Sequence, residues 1–275
     1  MEWLQNPATQ SSVVPFFISL ISALILYRLQ RYYSALCVVF GFFAALVVTP
    51  GAIGTSWTST SRLLIWVLLT LLVTIVVEVL GSGSRTKGIT AVVLAMLGVV
   101  FVFWTILVQQ TRSGMLLWLI LGWLYLWVMV LSVNRGQHKP IALYVASMVF
   151  ALATGAMALL NGSALVMQLN FSWAAATGAF LAVIMFWPGE PGKLLVYAIP
   201  TTAITLSAML GFNMQILESA WILLPLAAII IPVCFFAPER GSKWRQAFVA
   251  LALTLPGVTA SGLYMWLTAD FSSSY

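Results

Sequence analysis

The sequence predicts an all-α polytopic membrane protein with ten transmembrane helices in two inverted five-helix repeats, and three observations predict it. The first is composition: 62% of the residues are apolar and 7% are charged, whereas about a quarter of a soluble domain is charged. The second is that the basic residues fall in alternate connections. The third is an internal repeat. Nearly the whole chain divides into apolar runs of the length that a bilayer core of about 30 Å requires, roughly 20 residues each, which leaves no soluble domain over. A β-barrel is excluded because runs such as Leu63–Val77 do not alternate polar and apolar positions.

Taken in order, the apolar runs place spans at approximately 14–31, 33–50, 62–81, 88–108, 115–133, 140–160, 172–187, 193–211, 219–236 and 245–267. Arg28 and Arg31 follow the first span. Arg85 and Lys87 follow the third, Arg135 and Lys139 the fifth, Lys193 the seventh, and Arg240, Lys243 and Arg245 the ninth. Of the 12 Lys and Arg, these are all but Arg62 and Arg112. Basic residues are retained on the cytoplasmic side, so the alternation predicts both termini outside a membrane read as the bacterial inner membrane. One helix more or fewer would scramble it. Trp66, Trp104, Trp118, Trp173, Trp221 and Trp266 fall near the outer ends of their spans, as an aromatic belt does. Trp123 and Trp127 lie deeper, where packing accounts for them.

The repeat is carried by the third span, Arg62–Gly81, and the eighth, Lys193–Gly211. Leu63, Leu64, Thr70 and Thr74 recur as Leu194, Leu195, Thr201 and Thr205, and Trp66 is matched by Tyr197. Pro-Gly-x-x-Gly precedes each copy (Pro50–Gly54, Pro188–Gly192), and Leu-Tyr-x-Trp follows each (Leu124–Trp127, Leu263–Trp266). Three signals in one order, displaced by half the chain, divide it into 1–137 and 138–275. Five helices precede the boundary, so the second half enters the membrane from the opposite side and the repeats are inverted.

Most chemistry lacks its parts. The single histidine, His138, lies in a basic connection, and Cys37 and Cys234 sit in separate apolar runs as small buried hydrophobes. Glu2, Glu190, Glu218, Glu239 and Asp270 lie in connections or tails, and there is no phosphate-binding glycine loop. No enzyme activity, metal or cofactor is expected. The net charge of +6 is scattered between spans, which reads as topology and not as nucleic-acid binding. With Glu2 and no basic segment before the first run, the start does not read as a cleaved signal peptide.

Glu78 is the one carboxylate inside a span, about a turn from its end. An ionisable residue there defaults to a functional reading, against which stands an interfacial glutamate paired with Arg85 or Lys87. Arg62, Trp66, Thr70, Thr74 and Glu78 recur every four residues and share one helix stripe, and the second copy carries Lys193, Tyr197, Thr201, Thr205 and Met209. Two inverted helices carrying such stripes line one polar path near the midplane. The competing reading makes the threonines helix glue that bonds its own preceding turn. Pro200, Pro225, Pro232 and Pro256 fall inside spans eight to ten, each freeing a carbonyl one turn earlier. The expected substrate site is therefore Thr70, Thr74, Thr201 and Thr205, with Trp66, Tyr197, Pro200 and Glu78.

These features lead to an expected secondary transporter or exporter of a small or lipid-linked molecule, apolar or zwitterionic, working by alternating access. The alternative is a non-catalytic scaffold or accessory subunit of a larger membrane complex. Membrane lipids, a small-molecule or lipid substrate and membrane-protein partners are the expected partners. In arrangement and length the chain resembles the drug/metabolite transporter superfamily, which has five-plus-five inverted repeats. It carries no residue motif of that family, whose members usually keep both termini in the cytoplasm, and no functional residue is carried over.

Overall fold

Apolar runs in lipid must satisfy every backbone group within the segment, and helices do this. The computed structural model describes residues 6, 9–48, 59–80, 83–107, 112–160, 163–188, 194–213 and 223–268, and these are helical with no strand among them. A π-helical turn (Thr9–Val13) leads into α1 (Val14–Leu29), and a 3-10 turn (Arg31–Tyr33) leads into α2 (Leu36–Val48). Then come α3 (Ser59–Val79), α4 (Ser84–Leu107), α5 (Arg112–Gly136), α6 (Pro140–Leu160), α7 (Ala164–Phe186), α8 (Ala198–Asn213), α9 (Leu223–Phe236) and α10 (Lys243–Thr268). Among the described residues, five stretches are long and apolar enough to cross a membrane: Thr9–Leu29, Leu119–Gly136, Pro140–Leu160, Ala164–Phe186 and Lys243–Leu267. The 21 residues of α6 rise about 32 Å, close to the thickness of a bilayer core. The described residues are all-helical, and their several apolar helices are those of a multi-pass membrane protein. Much of the predicted loop 49–61, the Pro188–Gly192 motif beyond Pro188, Lys193 and the side chain of Arg62 lie outside the described residues.

Helix C-termini leave carbonyls unpaired and carry partial negative charge, so cations settle there. Lys139, ahead of α6, donates to the carbonyls of Cys234 and Phe235 at the end of α9, both at 3.1 Å. Lys243 at the start of α10 donates to Ile184 and Trp187 at the end of α7, at 2.6 and 2.7 Å. The Arg28 guanidinium lies over the Trp187 ring, that of Arg135 lies over Phe235, and Tyr27 donates to the Pro188 carbonyl at 3.3 Å. These contacts gather the C-termini of α1, α5, α7 and α9 with the N-termini of α6 and α10. Helices joined in this way alternate in direction, and the basic residues in question meet at one end of the bundle, hereafter the basic end.

The core centres on α6 and α7. Tyr144, Phe150, Trp173 and Phe180 are fully buried, with Tyr144 edge-on to Phe180 at 5.2 Å. α6 packs against α7, α8, α9 and α10, and α7 packs also against α1 and α2. Small residues make the tight crossings, as they do where lipid supplies no hydrophobic drive between helices. A Cβ on Gly41 of α2 would lie 2.7 Å from the Pro15 carbonyl oxygen and 3.1 Å from Ala176 Cβ. Ser19 of α1 donates to the Ala176 carbonyl at 2.9 Å in the same crossing.

The prolines divide differently from the expectation. Pro232 and Pro256 do lie inside helices. Pro200 and Pro225 instead occupy the first turns of α8 and α9, where a missing N–H costs no intrahelical bond. Span eight was expected from 193, yet its helix starts at Ala198. Cys37 and Cys234 are both buried and unbridged.

Candidate polar site between α3 and α8

A turn over Leu194–Tyr197 precedes α8. Leu195 adopts φ 65, the left-handed region, which costs a residue with a side chain roughly 1–2 kcal/mol. Every residue from Leu194 to Ser207 is buried, so this break in helical backbone is enclosed by protein, the condition under which it is tolerated at membrane depth. A bond from each side holds it. The Tyr144 hydroxyl of α6 donates to the Leu194 carbonyl at 3.3 Å. The Glu78 carboxylate of α3 accepts from the backbone N–H of Tyr197 at 2.9 Å and of Ala198 at 3.1 Å.

Glu78 is thus the cap of α8, supplied by another helix at a terminus that carries about half a positive charge. It is 8% exposed. The expected pairing with Arg85 or Lys87 is replaced by this cap. Arg85 is exposed. The Lys87 ammonium donates to Gln137 Oε1 at 2.5 Å and lies 5.8 Å above the Tyr197 ring. The Tyr197 hydroxyl closes the group by donating to the Lys87 carbonyl at 3.3 Å.

With the C-terminal end of α3 at the N-terminal end of α8, equal steps along both helices stay level. Four residues rise about 6 Å, so Thr74 lies at the depth of Thr201 and Thr70 at that of Thr205. All four are buried. Thr74 donates to the Thr70 carbonyl at 2.7 Å, and Thr205 donates to the Thr201 carbonyl at 2.9 Å. The Thr70 and Thr201 hydroxyls, 2% and 1% exposed, close no hydrogen bond of good geometry, although the Tyr197 side chain lies near that of Thr201 one turn back. Each helix therefore carries one open hydroxyl with a back-bonded threonine four residues on. Further along α8, Tyr125 of α5 and Ser207 share a hydrogen bond at 3.1 Å.

No known family, curated protein or solved structure matches the chain.

The other two expected site residues lie differently. Trp66 is buried against α4, where a Cβ on Gly98 would come within 2.6 Å of its indole nitrogen. It packs at the end of α3 far from Tyr197. Pro200 opens α8 and does not interrupt it. Two cavities lie away from the threonines. One of about 410 Å³ runs between Ser12, Phe16, Met148, Leu152 and Phe171. The other, of about 330 Å³, lies between α4 and α5 beside Met96 and Trp123. Leu195 and Tyr144 were not singled out from the sequence. A proline three residues into a helix marks a start, so Pro200 itself carried the signal for a turn ahead of it.

Proposed function

We propose that the protein is a secondary transporter or exporter of a small or lipid-linked molecule, apolar or zwitterionic. It works by alternating access between inverted repeats 1–137 and 138–275, in a bacterial inner membrane with both termini outside. The observation that carries this reading is the pair of buried, open hydroxyls at Thr70 and Thr201, at equivalent positions of two packed helices. A threonine that only glues helices closes its bond on its own preceding turn, as Thr74 and Thr205 do. A buried hydroxyl left open costs about 1–3 kcal/mol, and here the cost is met twice. A substrate that hydrogen-bonds both hydroxyls removes it. At the depth of the threonines the stripe offers hydroxyls and no charge, which suits an uncharged or zwitterionic guest.

Two further features support the reading. Two of the five equivalent helix pairs, α2 with α7 and α3 with α8, pack against each other, as helices beside a two-fold axis in the membrane plane do. Basic residues gather at one end of alternating helices, which suits a cytoplasmic basic end.

The test is a thermal-shift screen of the purified protein against neutral and zwitterionic metabolites and isoprenoid-linked sugars, run beside the Thr70→Val/Thr201→Val double variant. A substrate raises the melting temperature of the wild type with concentration and leaves the double variant unmoved. The scaffold reading predicts instead a partner that co-purifies in fixed ratio and no ligand response in either protein.

A further inference from the structure

The open hydroxyls leave one polar group at the α3–α8 contact unexplained. A carboxylate inside a span is costly, and a helix start is ordinarily capped by a Ser, Thr, Asp or Asn just ahead of it in sequence. Here the cap arrives from a residue 119 positions away from Tyr197. Both oxygens are engaged, Oε1 by the Tyr197 N–H and Oε2 by the Ala198 N–H. The charged and titratable groups that face it are Lys87 from α4, Tyr197 from the turn ahead of α8 and Tyr144 from α6. Lys87 acts through its charge, its ammonium being bonded to Gln137.

We propose that Glu78 is a proton-binding site whose occupancy releases the first turn of α8. The bond that forms is O–H, to one carboxylate oxygen, with the proton drawn from water at the basic end. That oxygen had accepted a backbone N–H and now presents a donor to it, so one cap is lost. The negative charge that faced the positive end of α8 is lost with it. Leu195 is held in its left-handed conformation by the Tyr144 bond on one side and the Glu78 cap on the other. With one restraint gone, the turn relaxes toward ordinary backbone, and α8 moves with it. Thr201 stands one turn further along that helix. Proton binding and the open hydroxyl are thereby linked through a single turn, and the proton becomes the coupling ion. That last step rests on the transporter reading, whereas the proton site and the release do not.

The experiment is amide hydrogen exchange of the full-length protein in nanodiscs, corrected for intrinsic rates, at mildly alkaline and mildly acidic pH. It is read at the peptide containing Tyr197 and Ala198. A hydrogen bond to a charged group contributes about 1.5–3 kcal/mol, so its loss should speed exchange there roughly ten- to a hundredfold at acidic pH. Glu78→Gln, which keeps a carbonyl oxygen and cannot ionise, should exchange quickly at both. Infrared spectra of the wild type give a second reading that needs no variant: a protonated-carboxyl band from a dry site should rise over the same pH range. Exchange that ignores pH in the wild type, or a pH response retained in Glu78→Gln, overturns the proposal. A pH-operated turn in a protein that moves no solute leaves the proton site standing and removes the transport reading alone.

Discussion

Helices α1 and α6 open the two halves of the chain, yet α6 packs against α7, α8, α9 and α10, while α1 packs closely against α2 and α7 with no matching contact to α3, α4 or α5 among the described residues. Side-chain size explains the difference. α6 buries Ala142, Ala146, Ser147, Ala151, Thr154, Gly155 and Ala158, and such residues let backbones approach from every side. α1 turns Phe17, Ile18, Ile21 and Ile25 outward, where lipid accepts them. The second half is therefore a body built around one central helix, and α3 to α5 lean on it through α8 and α9. Inverted repeats that move in alternation are expected to be unlike in any one state, because the exchange of their two arrangements is the motion. In this account the second half holds the closed arrangement and the first half the open one.

Substitutions that grade the tightness of each half can break or sharpen this contrast. The largest effect is expected in the second half at Gly257→Ala, where a Cβ would lie 2.6 Å from the Ile229 backbone nitrogen and 2.7 Å from the Ala228 carbonyl carbon. Backbone cannot step aside, so about 3 kcal/mol of stability should be lost in detergent unfolding. Lys139→Met comes next. It strips the Cys234 and Phe235 carbonyls of their donor and should cost about 2 kcal/mol, read as a lowered midpoint. In the first half, the nearest atoms to the methyl of Gly98→Ala belong to the Trp66 indole, a side chain that can shift, and about 1 kcal/mol is expected. Equal losses at Gly98 and Gly257 would erase the contrast. Thr70→Val and Thr201→Val are expected to act with the opposite sign, each gaining up to about 1 kcal/mol of stability, because the hydroxyl removed is buried with no partner. A large loss at either would mean that a structural bond is made there after all.

Composition and charge spacing made the helical, multi-pass architecture legible, because both report directly on solvent. The threonine stripe was legible for the same kind of reason: a four-residue period needs no tertiary knowledge to place Thr70 and Thr74 on one face. What stayed hidden depended on partners distant in sequence. Glu78 reads as an interfacial residue near Lys87 until α8 is seen to begin late, and that late start turns on Leu195, a residue whose type gives no sign of a left-handed backbone. Trp66 and Tyr197 match in the repeat but not in role, since one packs on Gly98 and the other closes a bond to the Lys87 carbonyl. Pattern places a side chain on a face, and the neighbouring helix decides what that face does.

The central claim, that the two halves exchange their packing, is tested most directly by the distance between α6 and α10. Spin labels at Leu159 and Leu263, both exposed, report it in nanodiscs, and the two native cysteines are buried away from the label. The account predicts two distance populations, a short one with α6 against α10 and a longer one, with a ratio that shifts on acidification and shifts less in Glu78→Gln. A single short distance, unmoved by pH and by every ligand that stabilises the protein, would contradict it.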